Sequence, residues 1–303
     1  MNGKSFLYHL VAFTVVAIWG STFVFTKLLL LSGLSPAQIF TLRFIIAYVL
    51  LLAYSLWEGR DSFRWFSGSW RDELMMLAIG VSGGSLYFLA ENSSMNYTTT
   101  TNTSLIVSLS PLLATALISI FYKSQRLNRT QTIGTLMAAL GVAVVVLNGH
   151  FVLHLSPLGD SLAFGAALCW GFYSLLMIPA TQAYATLFIT RKVFVYGLLS
   201  MIPYFIAFPD EAWIFTPSIF QIFNPSILLN LLFLGCVASM ACFLAWNWVM
   251  TKLGAVVATN YVYFNPVTTI LFAWVILSEQ ITVFFLLGTL LILLGMYLAD
   301  RRH

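Results

Sequence analysis

The chain has 303 residues, of which 60% are hydrophobic and 8% charged, and its formal net charge is +4. A soluble domain carries about 25% charged residues, so this chain cannot coat itself with water-compatible surface, and it is read as an integral membrane protein with no nucleic-acid partner. Cys169, Cys236 and Cys242 all lie inside apolar runs, which argues against a disulfide framework or a metal cluster.

Runs of about 20 apolar residues mark membrane-spanning helices. In chain order they fall near 8–31, 37–57, 74–95, 102–122, 131–149, 158–180, 186–208, 228–250, 256–276 and 281–299. The fold class is thus all-α integral membrane with ten transmembrane helices. The first run follows Lys4 as a signal sequence would. It is longer than a typical signal h-region and nine more runs follow, so it is read as a retained helix.

Lysine and arginine set the orientation. Lys4, Arg60, Arg64, Arg71, Lys123, Arg126, Arg129, Lys252, Arg301 and Arg302 fall in the tails and even-numbered loops, and Arg191 and Lys192 lie on the same side. The opposite loops hold neither residue type, and the one after helix 7 carries Asp210 and Glu211. Both termini are therefore expected in the cytoplasm, in a multi-pass protein of the plasma membrane.

The second half repeats the first. Gly80, Phe88, Leu89, Ala90, Asn92 and Met95 recur as Gly235, Phe243, Leu244, Ala245, Asn247 and Met250, each 155 positions on (235 − 80). Pro111 recurs as Pro266, Gly134 and Gly141 as Gly288 and Gly295, and Trp19-Gly20 as Trp170-Gly171. The spacing divides the chain into repeats at 1–150 and 151–303. Each contains five helices, an odd number, so the copies are expected to be inverted. Inverted repeats are a recurring design of secondary transporters, with a site near the midplane.

The residues Ala17-Ile18-Trp19-Gly20-Ser21-Thr22-Phe23 with Lys27, then Arg43-Phe44, resemble the start of an EamA domain. Gly159-Asp160 opening helix 6 and Ser278-Glu279-Gln280-Ile281-Thr282 before helix 10 resemble its second copy, with Gln125 standing where the second copy has Glu279. The resemblance to the drug/metabolite transporter superfamily covers nearly the whole chain. It implies export of amino acids, drugs or other small metabolites.

Ionisable groups inside a bilayer mark candidate sites. Lys27, about 19 residues into helix 1 and thus roughly 28 Å along it, Arg43 in helix 2 and Glu91 near the outer end of helix 3 fall at comparable depths. Either cation could pair with Glu91, and the remaining one would favour a carboxylate or phosphate. Snorkelling of Lys27 to the headgroups is the plainer alternative. Glu91 is also a candidate carrier of protons as the coupling ion. Asn92, Asn247, Asn260, Tyr261, Tyr263 and Asn265 must find partners in lipid, either as glue between helices or as cavity lining. Trp19 and Trp170 would wall that cavity or simply pack. Pro111 and Pro266 are candidate hinges, and Asp160 and Glu279 read as caps.

The glycines of helices 5 and 10 repeat on one helical face, which suits close packing or a homodimer. A membrane-embedded lipid-modifying enzyme would need converging acids, histidines or metal ligands. Only His9, His150, His154 and His303 occur, and no HExxH or Walker A sequence is present. A channel would need a charge ring or carbonyl filter.

Overall fold

The computed structural model describes residues 3–58, 64–98, 100–123, 127–147, 156–211, 222–277 and 282–300. Arg60, Gln125, Arg126, His150, His154, Glu279, Arg301, Arg302, His303 and the boundary between 150 and 151 lie outside them. Among the described residues no strand occurs. The α-helices are α1 (Gly3–Leu31), α2 (Pro36–Glu58), α3 (Trp70–Gly80), α4 (Leu86–Tyr97), α5 (Thr100–Val107), α6 (Ser110–Phe121), α7 (Arg129–Leu147), α8 (Pro157–Ala183), α9 (Thr186–Leu199) and α10 (Ile202–Ala207). They continue with α11 (Pro225–Leu232), α12 (Cys242–Leu253), α13 (Ala255–Asn260), α14 (Asn265–Leu277) and α15 (Val283–Asp300).

Seven helical runs in these residues are long and apolar enough to cross a membrane: Phe6–Leu31, Pro36–Trp57, Trp70–Tyr97, Thr103–Phe121, Pro157–Ala183, Thr186–Ala207 and Pro225–Leu253. Val283–Ala299 is a shorter apolar helix. The chain is a multi-pass membrane protein.

Helix starts follow local polar chemistry. Ser156 Oγ accepts from Gly159 N at 3.3 Å, while Asp160 Oδ2 accepts from Ser156 N at 3.0 Å, so Asp160 is the cap its position predicted. Ser35 with Gln38 and Asn128 with Gln131 make the same reciprocal bonds at the starts of α2 and α7. Gly254, with φ at 83°, turns the chain between α12 and α13.

Several of the predicted rods are interrupted, and the interruptions pair up at the repeat spacing. Val81–Ser85, between α3 and α4, is π-helical, and so is Phe233–Ala241, between α11 and α12. The first follows one of the recurring glycines, Gly80, and the second contains its mate, Gly235. A Cβ on Gly80 would stand 2.6 Å from Tyr196 Cβ, and one on Gly235 would stand 2.7 Å from Ile46 Cβ, so both turns are pressed against a neighbouring helix. The second pair precedes the prolines. Pro111 has no N–H for Val107 O, and Ser110 Oγ donates to that carbonyl instead. Pro266 likewise leaves Val262 O, which Asn265 N takes as the chain runs through a 3-10 segment, Tyr261–Phe264.

The most extensive contacts join the two halves of the sequence. α1 packs on α12 and α14, α8 on α4 and α6, α2 on Phe233–Ala241, and α9 on α3. Gly20 allows one of these approaches: a Cβ there would collide with Thr268 and stand 2.8 Å from Asn265 O, and Thr269 Oγ1 donates to Gly20 O at 2.9 Å.

α7 and α15 form the tightest pair. A Cβ on Gly141 would stand 2.7 Å from Ile292 N and 2.8 Å from Gly288 O, and Gly134 and Gly295 meet in the same way. The glycine faces that the sequence offered to a second copy are thus covered by each other, and a homodimer would have to use a different surface.

Candidate functional site

A chamber lies where α1, α2, α4, α6, α8, α12 and α14 converge. Three pairs of repeat-related residues line it: Trp19 with Trp170 (170 − 19 = 151), and Phe88 with Phe243 and Ser110 with Asn265 (265 − 110 = 155). Arg43, Tyr87 and Glu91 supply its polar side, and Thr22, Phe23 and Val262 complete the wall. The side chains leave about 20 Å³ of free space, room for about one water. The chamber is shut.

Its aromatic part is a cluster of touching rings. Trp19 and Trp170 meet edge to face, with centroids 5.4 Å apart and planes at 89°. Phe243 lies 5.5 Å from Trp19, and Tyr87 lies 5.2 Å from Trp170. The two indoles differ in one respect. Trp19 Nε1 donates to Ala238 O at 2.9 Å, whereas Trp170 Nε1 is buried with no acceptor. Replacing either by phenylalanine removes similar ring area, so the pair isolates the hydrogen bond. Trp19→Phe is expected to destabilise the protein by about 1 kcal/mol more than Trp170→Phe, read as a lower midpoint in thermal unfolding of the purified protein in detergent. Equal midpoints would show that the indole bond to the π-helical backbone contributes nothing.

The charges sit on the first half alone. Arg43 is 1% exposed; its Nε donates to Ser239 Oγ at 2.9 Å, and its guanidinium carbon lies 4.4 Å from the centre of the Phe88 ring. Glu91 is buried and accepts from Tyr87 OH at 2.8 Å. Among the described residues the one ion pair is Lys192–Glu73, so Arg43 and Glu91 share the chamber without pairing. At the repeat spacings their counterparts are Phe194 (194 − 43 = 151, as for the tryptophans) and Trp246 (246 − 91 = 155), both uncharged.

The remaining sequence candidates stand elsewhere. Lys27 Nζ donates to Met95 O at 2.8 Å, outside the chamber lining. Asn92 Nδ2 donates to Pro36 O at 3.3 Å. Asn247 accepts from Tyr173 OH and donates to Thr190 Oγ1 at 2.9 Å, tying α12 to α8 and α9. Tyr263 is buried among Val267, Phe285 and Met296, its hydroxyl unpartnered. Asn260 and Tyr261 line a separate cavity. Trp19, Arg43, Glu91, Trp170 and Asn265 are the candidates that come together. Sequence reasoning missed Tyr87, Phe88, Ser110 and Phe243, although Phe88 and Phe243 were already visible as a recurring pair and Ser110 precedes Pro111 as Asn265 precedes Pro266.

A second polar cluster lies at the end of the bundle at which α3 and α9 begin. Lys192 pairs with Glu73, which also accepts from Tyr196 OH and from Ser67 N at 2.7 Å. Tyr184 OH donates to Asp72 Oδ2 at 2.7 Å and accepts from Gly68 N at 2.9 Å, and Arg191 donates to Arg64 O. These bonds fasten α3 to α9, across the two halves.

Comparison with known proteins gives a consistent picture. The profile of the EamA-like transporter family matches twice, at residues 6–147 and 157–299. An uncharacterized transporter of Archaeoglobus fulgidus is 26% identical over 307 residues, covering 100% of this chain and 99% of that protein. A Salmonella typhimurium protein named "probable amino-acid metabolite efflux pump" is 25% identical over 305 residues, covering 95% and 92%. One crystal structure superimposes with a TM-score of 0.74 over 96% of this chain and 95% of its own, at 21% identity, which speaks to fold alone.

Proposed function

The chain belongs to the EamA-like transporter family, a membrane transporter and not an enzyme, and from that premise we propose that it exports small organic solutes by alternating access. Amino acids and related metabolites are the substrate class, in line with the name of the Salmonella relative. Ten helices would cross the plasma membrane as two inverted five-helix repeats, 1–150 and 151–303, with both termini cytoplasmic. The double match of the family profile and the paired interruptions of the helices support this division.

One observation carries the reading: residues at equivalent positions of both halves enclose a single chamber that holds an arginine and a glutamate not bonded to each other. A planar guanidinium grips a carboxylate through two parallel bonds, so Arg43 would hold the acidic group of the solute. Glu91 would receive its ammonium group or a coupling proton, and the apolar part would lie among Trp19, Trp170 and Phe243. Because the chamber is shut, a solute enters only when the halves rock apart. The π-helical turns and the breaks before Pro111 and Pro266 give that motion places to bend.

The test is metabolite profiling of medium from cells expressing the chain. Arg43→Ala is expected to lower the external level of one class of solute by about tenfold or more, the effect of roughly 1.4 kcal/mol of lost binding. Unchanged export would remove Arg43 from the site. Glu91→Gln is expected to abolish accumulation driven by a pH gradient in proteoliposomes. If that variant still concentrates solute under the gradient, Glu91 does not carry the proton.

A further inference from the structure

A cavity that could take a small molecule lies outside the chamber. Between the start of α1, α13 and the end of α15 is a cavity of about 410 Å³, within the range of small-molecule pockets. Its walls include Phe6, Leu10, Phe13, Val257 and Leu293, and among the described residues no lysine, arginine or acidic residue lines it. Phe6, Leu10 and Leu293 are exposed, so the mouth opens sideways between α1 and α15, toward the lipid rather than along the axis of the bundle.

Asn260 lines this cavity and is 2% exposed, and neither its Nδ2 nor its Oδ1 makes a hydrogen bond. A buried amide with both ends unpaired is costly, and each such group calls for a partner. Beside it, the hydroxyl of Tyr261 and Nδ1 of His9 are 2.5 Å apart and bonded to each other. The amide of Asn260 therefore remains the unpartnered polar group of the lining. It offers one donor and one acceptor in a plane, which is matched by a group that offers the same two in return. One turn further on, Val262 and Asn265 line the shut chamber, so the 3-10 segment Tyr261–Phe264 separates the two spaces.

We propose that this cavity is a second binding site, which takes an uncharged amphipath with a carboxamide head from the membrane leaflet on the side of the chain termini. Asn260 pairs with the head as both donor and acceptor, and the aliphatic part lies along the Phe6, Leu10 and Phe13 face. The site lies outside the chamber and does not depend on what the chamber carries.

The experiment uses two photoreactive probes on the full-length protein in phosphatidylcholine nanodiscs: a hexanamide bearing an alkyl diazirine, and the same alkyl diazirine without the amide. The amide probe is expected to label peptides containing Phe6–Phe13 and Val257–Tyr261, and plain hexanamide should compete. Asn260→Leu should lower that labelling about tenfold, as loss of a paired amide implies, with labelling by the alkane probe unchanged. Leu293→Trp, which narrows the mouth and leaves Asn260 in place, should lower labelling by the amide probe as well. Equal labelling of the wild-type protein by both probes would mean a groove for acyl chains and would overturn the proposal. Wild-type labelling in Asn260→Leu would also overturn it. Arg43→Ala should keep full labelling, so failure here and failure of the transport reading are separately visible.

Discussion

Gly295→Leu is expected to leave no folded protein. A Cβ at that position would stand 2.7 Å from Gly134 O and closer still to Ala138 N, and both obstacles are helix backbone. Backbone cannot turn aside as the end of a side chain can, so α7 and α15 would have to separate along their length. Between helices in lipid there is little hydrophobic drive to restore the contact, because association rests on close packing. The loss should exceed about 4 kcal/mol, the range reserved for the most severe single substitutions. The readout is the yield of monodisperse protein in size-exclusion chromatography. Gly165→Leu is the control, since nothing lies within 4 Å of a Cβ there. Wild-type yield for Gly295→Leu would refute the packing argument.

The second large effect belongs to the ion pair between α3 and α9. Lys192 and Glu73 have side chains only 4% and 10% exposed. Removing one partner of a buried pair leaves the other uncompensated, at about 3–5 kcal/mol. On the alternating-access reading, Glu73→Ala should shift this end of the bundle toward open by more than about a hundredfold, and export should fall with it. The double change Glu73→Lys with Lys192→Glu restores opposite charges and should recover export. A Glu73→Ala protein that exports at the wild-type rate would show that the pair does not hold the end shut.

How far the sequence could be read depended on the kind of signal. Apolar runs mark helices because lipid leaves the backbone no other partner, and the repeated motifs led to the aromatic walls of the chamber through Trp19 and Trp170. Arg43 and Glu91 could be selected because a charge in an apolar helix is conspicuous. Their failure to pair could not be read, since it depends on distances between helices that periodicity does not encode. Asn247 and Asn265 look alike in sequence. One is tied to Tyr173 and Thr190, and the other is left with a free carbonyl in the chamber, a difference made by neighbours far along the chain. The π-helical turns were hidden for a related reason: Gly80 and Gly235 were noticed, but a one-residue slip in the hydrogen-bond ladder leaves the composition unchanged. Arg191 and Lys192 were read as markers of topology, while the pairing of Lys192 with Glu73 required the fold.

The bond from Arg43 to Ser239 spans 196 residues of sequence. A ribosome adding about 5–20 residues per second reaches the serine roughly 10–40 s after the arginine. Through that interval α2 exists without the serine that accepts from Arg43 Nε, and only Phe88 and Glu91 of the first half can attend its charge. Until Phe233–Ala241 arrives, Arg43 Nε lacks the acceptor it has in the finished fold. The chamber is thus complete only once the second half has been made, since Trp170, Phe243 and Asn265 also come from it.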